Sequence, residues 1–251
     1  MFLNILGYKI STRDVNTIVL DSLNSHSLRV VNTINPHSYV EAKKDVDFQQ
    51  ALLASDELIP DGSGIVLAAN KLYGKYINKI AGADLYLETM HVLNQSSGKV
   101  FFLGSTDDVL RDIIKKANVE FPNVSISTYS PPYKAEFSNS DIQGFIKLIN
   151  DFSPDVIWVG LTAPKQEKLI HAMRAEINGK MIAGIGAVFD FYSGNVMRPK
   201  KIWIDLHLEW LVRLIGEPKR LWRRTFVSAP IFLLDIYRYK LCTKKPQLHQ
   251  H

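Results

Sequence analysis

The chain has 251 residues, 46% hydrophobic and 22% charged, which is enough to bury a full core and too apolar for a disordered chain. Its single cysteine, Cys242, excludes an internal disulfide framework and points to a reducing compartment, and no Cys/His spacing resembles a zinc site. The charge is divided: residues 197–251 carry a balance of +8 and residues 1–196 a balance of −3, which together make the net charge of +5.

Met1 to Tyr8 alternates like a first strand and lacks the basic start and long apolar run of a secretory signal. Leu28 to Ile34 reads as the next strand and Tyr39 to Ala54 as a helix; Leu58 to Pro60 is a short apolar run before helix-like Ile65 to Lys71. Val100 to Leu103 predicts a strand, with Ser105 as N-cap of a helix over Asp107 to Ala117. Ser130 to Ser140, rich in proline and serine, is the expected mobile loop. Val156 to Val159 is a strand, Pro164 to Ile177 a helix with proline in its first turn, and Met181 to Ile185 a strand. This rhythm predicts an α/β fold, a Rossmann-like and mostly parallel sheet sandwiched by helices. Residues 1–196 form the expected catalytic domain and residues 197–251 a basic C-terminal helical appendage, hinged at Met197 to Lys201. No run approaches the roughly 20 apolar residues of a bilayer span, so any membrane contact is peripheral.

Four clusters carry candidate chemistry. An apolar strand delivers Asp61 to the Gly-rich turn Asp61-Gly62-Ser63-Gly64, where a carboxylate serves as a general base or, more plainly, as the cap of the next helix. Thr33 and Asn35 point to one side if the extended backbone persists, as hydroxyl or phosphate donors; the alternative is an Asx turn. Gly160 to Lys168 is a strand-to-helix turn with Lys165 and Gln166 at its mouth, suited to an anion. It lacks the ending of a Walker A loop. Gly104 and Gly186 end strands without completing a dinucleotide fingerprint, which disfavours hydride chemistry and leaves them as nucleotide-facing positions. Asp190 sits among Phe189, Phe191 and Tyr192, either to receive a nucleobase or ribose hydroxyl or within a core cluster. His171 and His207 have no companion at metal spacing, and Asp107-Asp108 complements a helix start rather than forming a metal pair.

In the tail, Leu221, Trp222, Phe226, Ala229, Leu233 and Ile236 recur at helical spacing beside Arg220, Arg223 and Arg224, the pattern of an interfacial helix on an anionic membrane surface. Pro230 is expected to kink or divide it. The alternative is a helix packed on the body with a solvated basic rim.

Thr33-Ile34-Asn35-Pro36, Pro60-Asp61-Gly62-Ser63-Gly64, Ala81-Gly82-Ala83-Asp84-Leu85, Pro164-Lys165-Gln166-Glu167, Phe189-Asp190-Phe191-Tyr192-Ser193-Gly194 and Leu208 to Arg224 occur in this order. Together they resemble the WecG/TagA/CpsF glycosyltransferase family over about Asn32 to Arg224. The resemblance implies an inverting, metal-independent transfer, without a cofactor, from a UDP-sugar to a polyprenyl-diphosphate-linked saccharide at the cytoplasmic membrane face, in bacterial surface-polysaccharide synthesis. By the same resemblance Asp61 is the base; Thr33, Asn35 and Gln166 position donor and acceptor; Arg213, Arg220, Arg223 and Arg224 grip diphosphate; Asp190 contacts the nucleotide. The wording around Gly160 to Glu167 and Val188 to Tyr192 is closer to the xanthan-pathway glucosyltransferases, so UDP-glucose is the expected donor, with UDP-N-acetylmannosamine or its uronic acid as the alternative. A nucleotide-binding recruitment protein without chemistry is the competing class. Nucleic acid is disfavoured by the mildly acidic body, and a homo-oligomer stays open.

Overall fold

The computed structural model describes residues 1–194 and 218–242, with the backbone alone at 218–220. The expected hinge, Met197 to Lys201, lies outside the described residues, as do His207 and Arg213. The chain opens with an antiparallel hairpin, β1 (Phe2–Ile5) and β2 (Tyr8–Ser11), then α1 (Val15–Leu23). Six further strands follow: β3 (Arg29–Ile34), β4 (Glu57–Pro60), β5 (Lys99–Gly104), β6 (Ser125–Tyr129), β7 (Val156–Gly160) and β8 (Met181–Gly184). They form one sheet in the order β4-β3-β8-β7-β5-β6, with every neighbouring pair parallel.

The helices between them are α2 (Pro36–Ala42), α3 (Val46–Leu53), α4 (Ser63–Tyr73), α5 (Gly82–Ser96), α6 (Asp107–Glu120), α7 (Asn139–Phe152), α8 (Lys165–Met173) and α9 (Val188–Ser193). The segment expected as one helix over Tyr39 to Ala54 is two, because Asp45 accepts from the Phe48 amide and starts α3 afresh. Thr106, not Ser105, caps α6: Ser105 sits at φ 59°, while extended Thr106 accepts from the Val109 amide. Pro164 occupies the position ahead of α8 rather than its first turn, and that helix stops at Met173.

The expected α/β sandwich is present, and alternation along the strands explains it. Val100, Phe102 and Trp158 face α1, α5 and α6 with Ile18, Leu85 and Ile113, whereas Phe101, Ile157 and Val159 face α7 and α8 with Phe145, Leu169 and Ile170. Covered on both faces, all five residues of β7 are buried, which is why that strand reads as a continuous apolar run. Each large side chain so buried contributes about 1.5–3 kcal/mol. A third cluster joins the hairpin, α2 and α4 beyond β4.

The helix after β5 covers one face and the helix after its neighbour β7 covers the other. Their connections therefore diverge at the carboxyl edge of the sheet, the place where open α/β sheets bind ligands.

The tail continues as α10 (Pro218–Arg223), a π-helical turn over Arg224–Ser228, and α11 (Ala229–Cys242). Pro230 falls at the second residue of α11, so the amide it lacks is accommodated by the wider π turn ahead of it. The single interfacial stripe expected from spacing is divided. Leu221, Phe232 and Ile236 are buried, the last two in the α2 and α4 cluster, whereas Trp222, Phe226 and Leu233 are exposed. Phe232 packs edge-on against Tyr39 with ring centroids 5.3 Å apart. Among the described residues no helix is long and apolar enough to cross a membrane.

Candidate active site

The site is built where β3 and β4 end. Register pairs Thr33 with Ile59 and Ile34 with Pro60, and the ladder continues as the Asp61 amide donates to the Ile34 carbonyl at 2.9 Å. Asn35 keeps the extended backbone, at φ −140° and ψ 171°. By alternation Thr33, Asn35 and Asp61 therefore fall on one face, the face on which Val31 and Ile59 meet the α5 side of the core. The Ile80 amide donates to the Pro60 carbonyl at 3.0 Å, which brings the start of α5 beside the same strand end.

Asp61 is half-buried, and the residue directly ahead of α4 is Gly62, at φ 106° and ψ 149° and without a side-chain cap of its own. Gly64 packs so closely on Pro36 that a Cβ there would lie 2.4 Å from the proline Cγ. The Asp61 turn is thus locked against the Asn35-Pro36 turn. For Asn35 the Asx reading holds as well: its Oδ1 accepts from the His37 and Ser38 amides, both at 3.0 Å, and Ser38 completes the capping box. Its Oδ1 is committed to α2, and the amide Nδ2 is the part that can serve a ligand.

On the other side of β3 stand the ends of β8 and β7. Gln166 is buried: its Nε2 donates to Glu167 Oε1 at 2.9 Å, and its Oε1 accepts from the Gly186 amide at 3.1 Å. Its carbonyl oxygen thus holds the turn after β8, while its nitrogen binds Glu167 within α8 and keeps a second N–H. Gly186 has φ 43°, which suits glycine. Gly104, at φ 123°, is required by backbone contact, because a Cβ there would approach the Gly160 carbonyl oxygen to 2.5 Å. Asp190 lies in the first turn of α9, while neighbouring Phe189 is buried against Phe102 at 5.4 Å. Phe189 is thus core, and Asp190 is carried past it at the carboxyl edge.

The tail reaches this edge from the β3 side. His37 Nδ1 lies 2.9 Å from Ser228 Oγ, and Asp235 receives the Tyr39 hydroxyl at 3.0 Å and the Lys43 ammonium at 2.7 Å. Burial, with Arg224 and Arg223 nearby, holds the His37 imidazole below its ordinary pKa, so those two guanidinium groups stand close to the first turn of α2. Arg223 is exposed and Arg224 half-buried; the Arg220 side chain lies outside the description. Among the described residues no group of three His, Cys, Asp or Glu side chains converges.

Comparison with known proteins shows the family of the chain. The profile described as "Glycosyl transferase WecG/TagA/CpsF family" matches residues 3–246. The chain belongs to that family. It is accordingly a glycosyltransferase, and relatives sharing its length show which kind it resembles. It is 34% identical to the N-acetylglucosaminyldiphosphoundecaprenol N-acetyl-beta-D-mannosaminyltransferase of Bacillus subtilis (strain 168), over 88% of this chain and 86% of that protein. The protein of the same name from Bacillus spizizenii is 33% identical, over 85% of this chain and 80% of its own length. That from Staphylococcus aureus (strain MRSA252) is 27% identical, over 85% and 81%. These WecG/TagA/CpsF relatives are named for N-acetylmannosamine transfer, and the expected likeness to glucosyltransferases finds no support among them.

Two features of this transferase escaped sequence reasoning. Glu167, 2% exposed, reads in the sequence as an ordinary acid in the first turn of α8, complementing the helix dipole. His37 closes the polar cluster that begins at Thr33, but its contact has no local signal, because its partner Ser228 is 191 residues away.

Proposed function

We propose that the protein transfers N-acetylmannosamine from its UDP derivative to a polyprenyl-diphosphate-linked N-acetylglucosamine, with inversion and without a metal. The observation that carries this is Asp61 at the end of β4, half-buried at the carboxyl edge on the face it shares with Thr33 and Asn35. The names of the relatives supply the sugar and the acceptor.

In this reading the Asp61 carboxylate takes the proton of the acceptor hydroxyl as its oxygen attacks the anomeric carbon. The bond from that carbon to the diphosphate oxygen breaks, and UDP leaves from the opposite side. A beta-linked product from an alpha-linked sugar nucleotide is the outcome of one such displacement. Thr33 and the Asn35 amide orient the sugars, Asp190 and the Gly104 and Gly186 turns face the nucleotide, and tail arginines, among them Arg213, Arg220, Arg223 and Arg224, neutralise diphosphate through guanidinium forks.

The tail is the membrane-facing appendage. Trp222, Phe226, Leu233, Leu234, Tyr237 and Leu241 are exposed on helices whose other side is buried, and Arg223 and Arg238 are exposed with them. An apolar stripe set among cations suits the headgroup region of an anionic membrane, where the lipid-linked acceptor resides.

A donor panel tests the sugar: UDP-N-acetylmannosamine, its uronic acid and UDP-glucose are offered with a short-chain polyprenyl-diphosphate-linked N-acetylglucosamine and EDTA. Product from the first donor supports the proposal. Product from UDP-glucose alone overturns the choice of sugar, and a requirement for divalent metal overturns the metal-independent mechanism.

A further inference from the structure

Beneath the carboxyl edge lies a buried acid that the proposed reaction does not use. Glu167 is 2% exposed and Gln166 5% exposed, and the two are joined by the 2.9 Å bond from Gln166 Nε2 to Glu167 Oε1. The second carboxyl oxygen, Oε2, is also buried and has no hydrogen-bond partner among the described residues. A buried carboxylate needs several donors or a cation to hold its charge, so this environment suits the neutral acid. In agreement, burial pushes the Glu167 carboxyl up.

The bond has a directional consequence. Gln166 has one amide oxygen and one amide nitrogen, and its two partners take opposite ends of that amide. With the carboxyl proton on Oε2, Glu167 accepts from Nε2 at Oε1, which turns Oε1 of Gln166 toward the Gly186 amide. Flipped, the side chain would present an N–H to the Gly186 N–H, which can only donate, and would lose the bond from Nε2 to Glu167. The space allows little else, because a Cβ at Gly184 would lie 3.0 Å from the Gln166 amide. The Gly186 turn leads directly into α9, with Phe189 seated on Gly160 at the end of β7 and Asp190 next in line.

We infer that Glu167 is a positioning residue: by fixing the orientation of the Gln166 amide it holds the Gly186 turn at the mouth of the crevice and thereby sets affinity for the sugar-nucleotide donor. The inference rests on the transferase reading for its ligand, though not for its structural link. Glu167 touches no reacting atom in this account. Its removal weakens donor binding and leaves the chemical step largely intact.

The test uses the full chain with Glu167→Leu, which removes the acceptor at similar volume, Glu167→Asp, which withdraws it from Gln166, and Glu167→Gln, whose amide oxygen can replace it. Donor KM and kcat are measured together with amide hydrogen exchange at Gly186. The expected result is a donor KM raised about tenfold, on the scale of one lost buried hydrogen bond, with kcat within about threefold, and faster exchange at Gly186 in the Leu and Asp variants. Glu167→Gln restores both. Unchanged donor KM and unchanged Gly186 exchange in a folded Leu or Asp variant overturn the inference, as does a Glu167→Gln variant as impaired as they are. Glu167→Asp serves if the Leu variant does not fold. A wild-type protein that transfers no sugar counts against the transferase reading, and Gly186 exchange then decides the structural link by itself.

Discussion

His37 Nδ1 and Ser228 Oγ meet at 2.9 Å, joining the first turn of the helix that follows Asn35 to the π turn of the tail. A residue two places from a candidate binding side chain thus reports whether the tail is seated. Around His37 stand Arg224, Glu41, Arg223 and Lys44. Burial and the arginines lower its pKa from the ordinary 6.5. A depressed pKa contributes stability that is fully present above the unfolded value and lost as pH falls through the folded one. Tail docking is therefore expected to weaken as pH drops below about 6.5. Amide exchange over Ser228 to Ile236, compared between pH 7.5 and pH 5, checks this, and His37→Gln should flatten the dependence.

The exposed side of the tail predicts lipid binding. Trp222 is 51% and Phe226 64% exposed. Replacing both by alanine is expected to reduce partition to anionic vesicles by at least about tenfold, since burying one such side chain is worth about 1.5–3 kcal/mol. Raised salt should weaken the remaining binding, because exposed charges are screened over about 8 Å at physiological ionic strength. Vesicle co-sedimentation measures both, and equal sedimentation of wild type and double variant removes the tail's assigned role.

Two glycines separate close packing from open space. Gly104→Ala drives a Cβ to 2.5 Å from the Gly160 carbonyl oxygen at φ 123°, and a loss of about 2 kcal/mol or more in stability is expected. At Gly144, exposed in α7, a Cβ meets nothing within 4 Å, and Gly144→Ala should stabilise by about 0.5–1 kcal/mol. Thermal melting of the two variants in opposite directions is the expected observation.

What could be read from the sequence follows from how local each signal is. Strands buried on both faces, such as Val156–Gly160, announce themselves as apolar runs, so the parallel sheet was legible. Edge strand β6, Ser-Ile-Ser-Thr-Tyr, is half polar and was missed. Asp61 is legible because a strand, an acid and glycines adjoin in sequence, while its alignment with Asn35 depends on the pairing of β3 with β4, which residue types do not reveal. Ser105 and Thr106 are both good caps, and only the left-handed backbone at Ser105 decides between them. The tail reads as one stripe because Leu233 and Ile236 share a helical spacing, yet Ile236 is buried with Phe232 and Leu233 faces outward. The sugar is chosen by a few contacts drawn from several strand ends, so no single motif spells it.

The most direct test of the account is the rate of UDP release from UDP-N-acetylmannosamine with the lipid-linked N-acetylglucosamine acceptor, for wild type and Asp61→Asn. A general base contributes about 10²- to 10⁴-fold. The account predicts a loss of kcat of that size in the variant, with unchanged melting. Turnover by Asp61→Asn at the wild-type rate would contradict it.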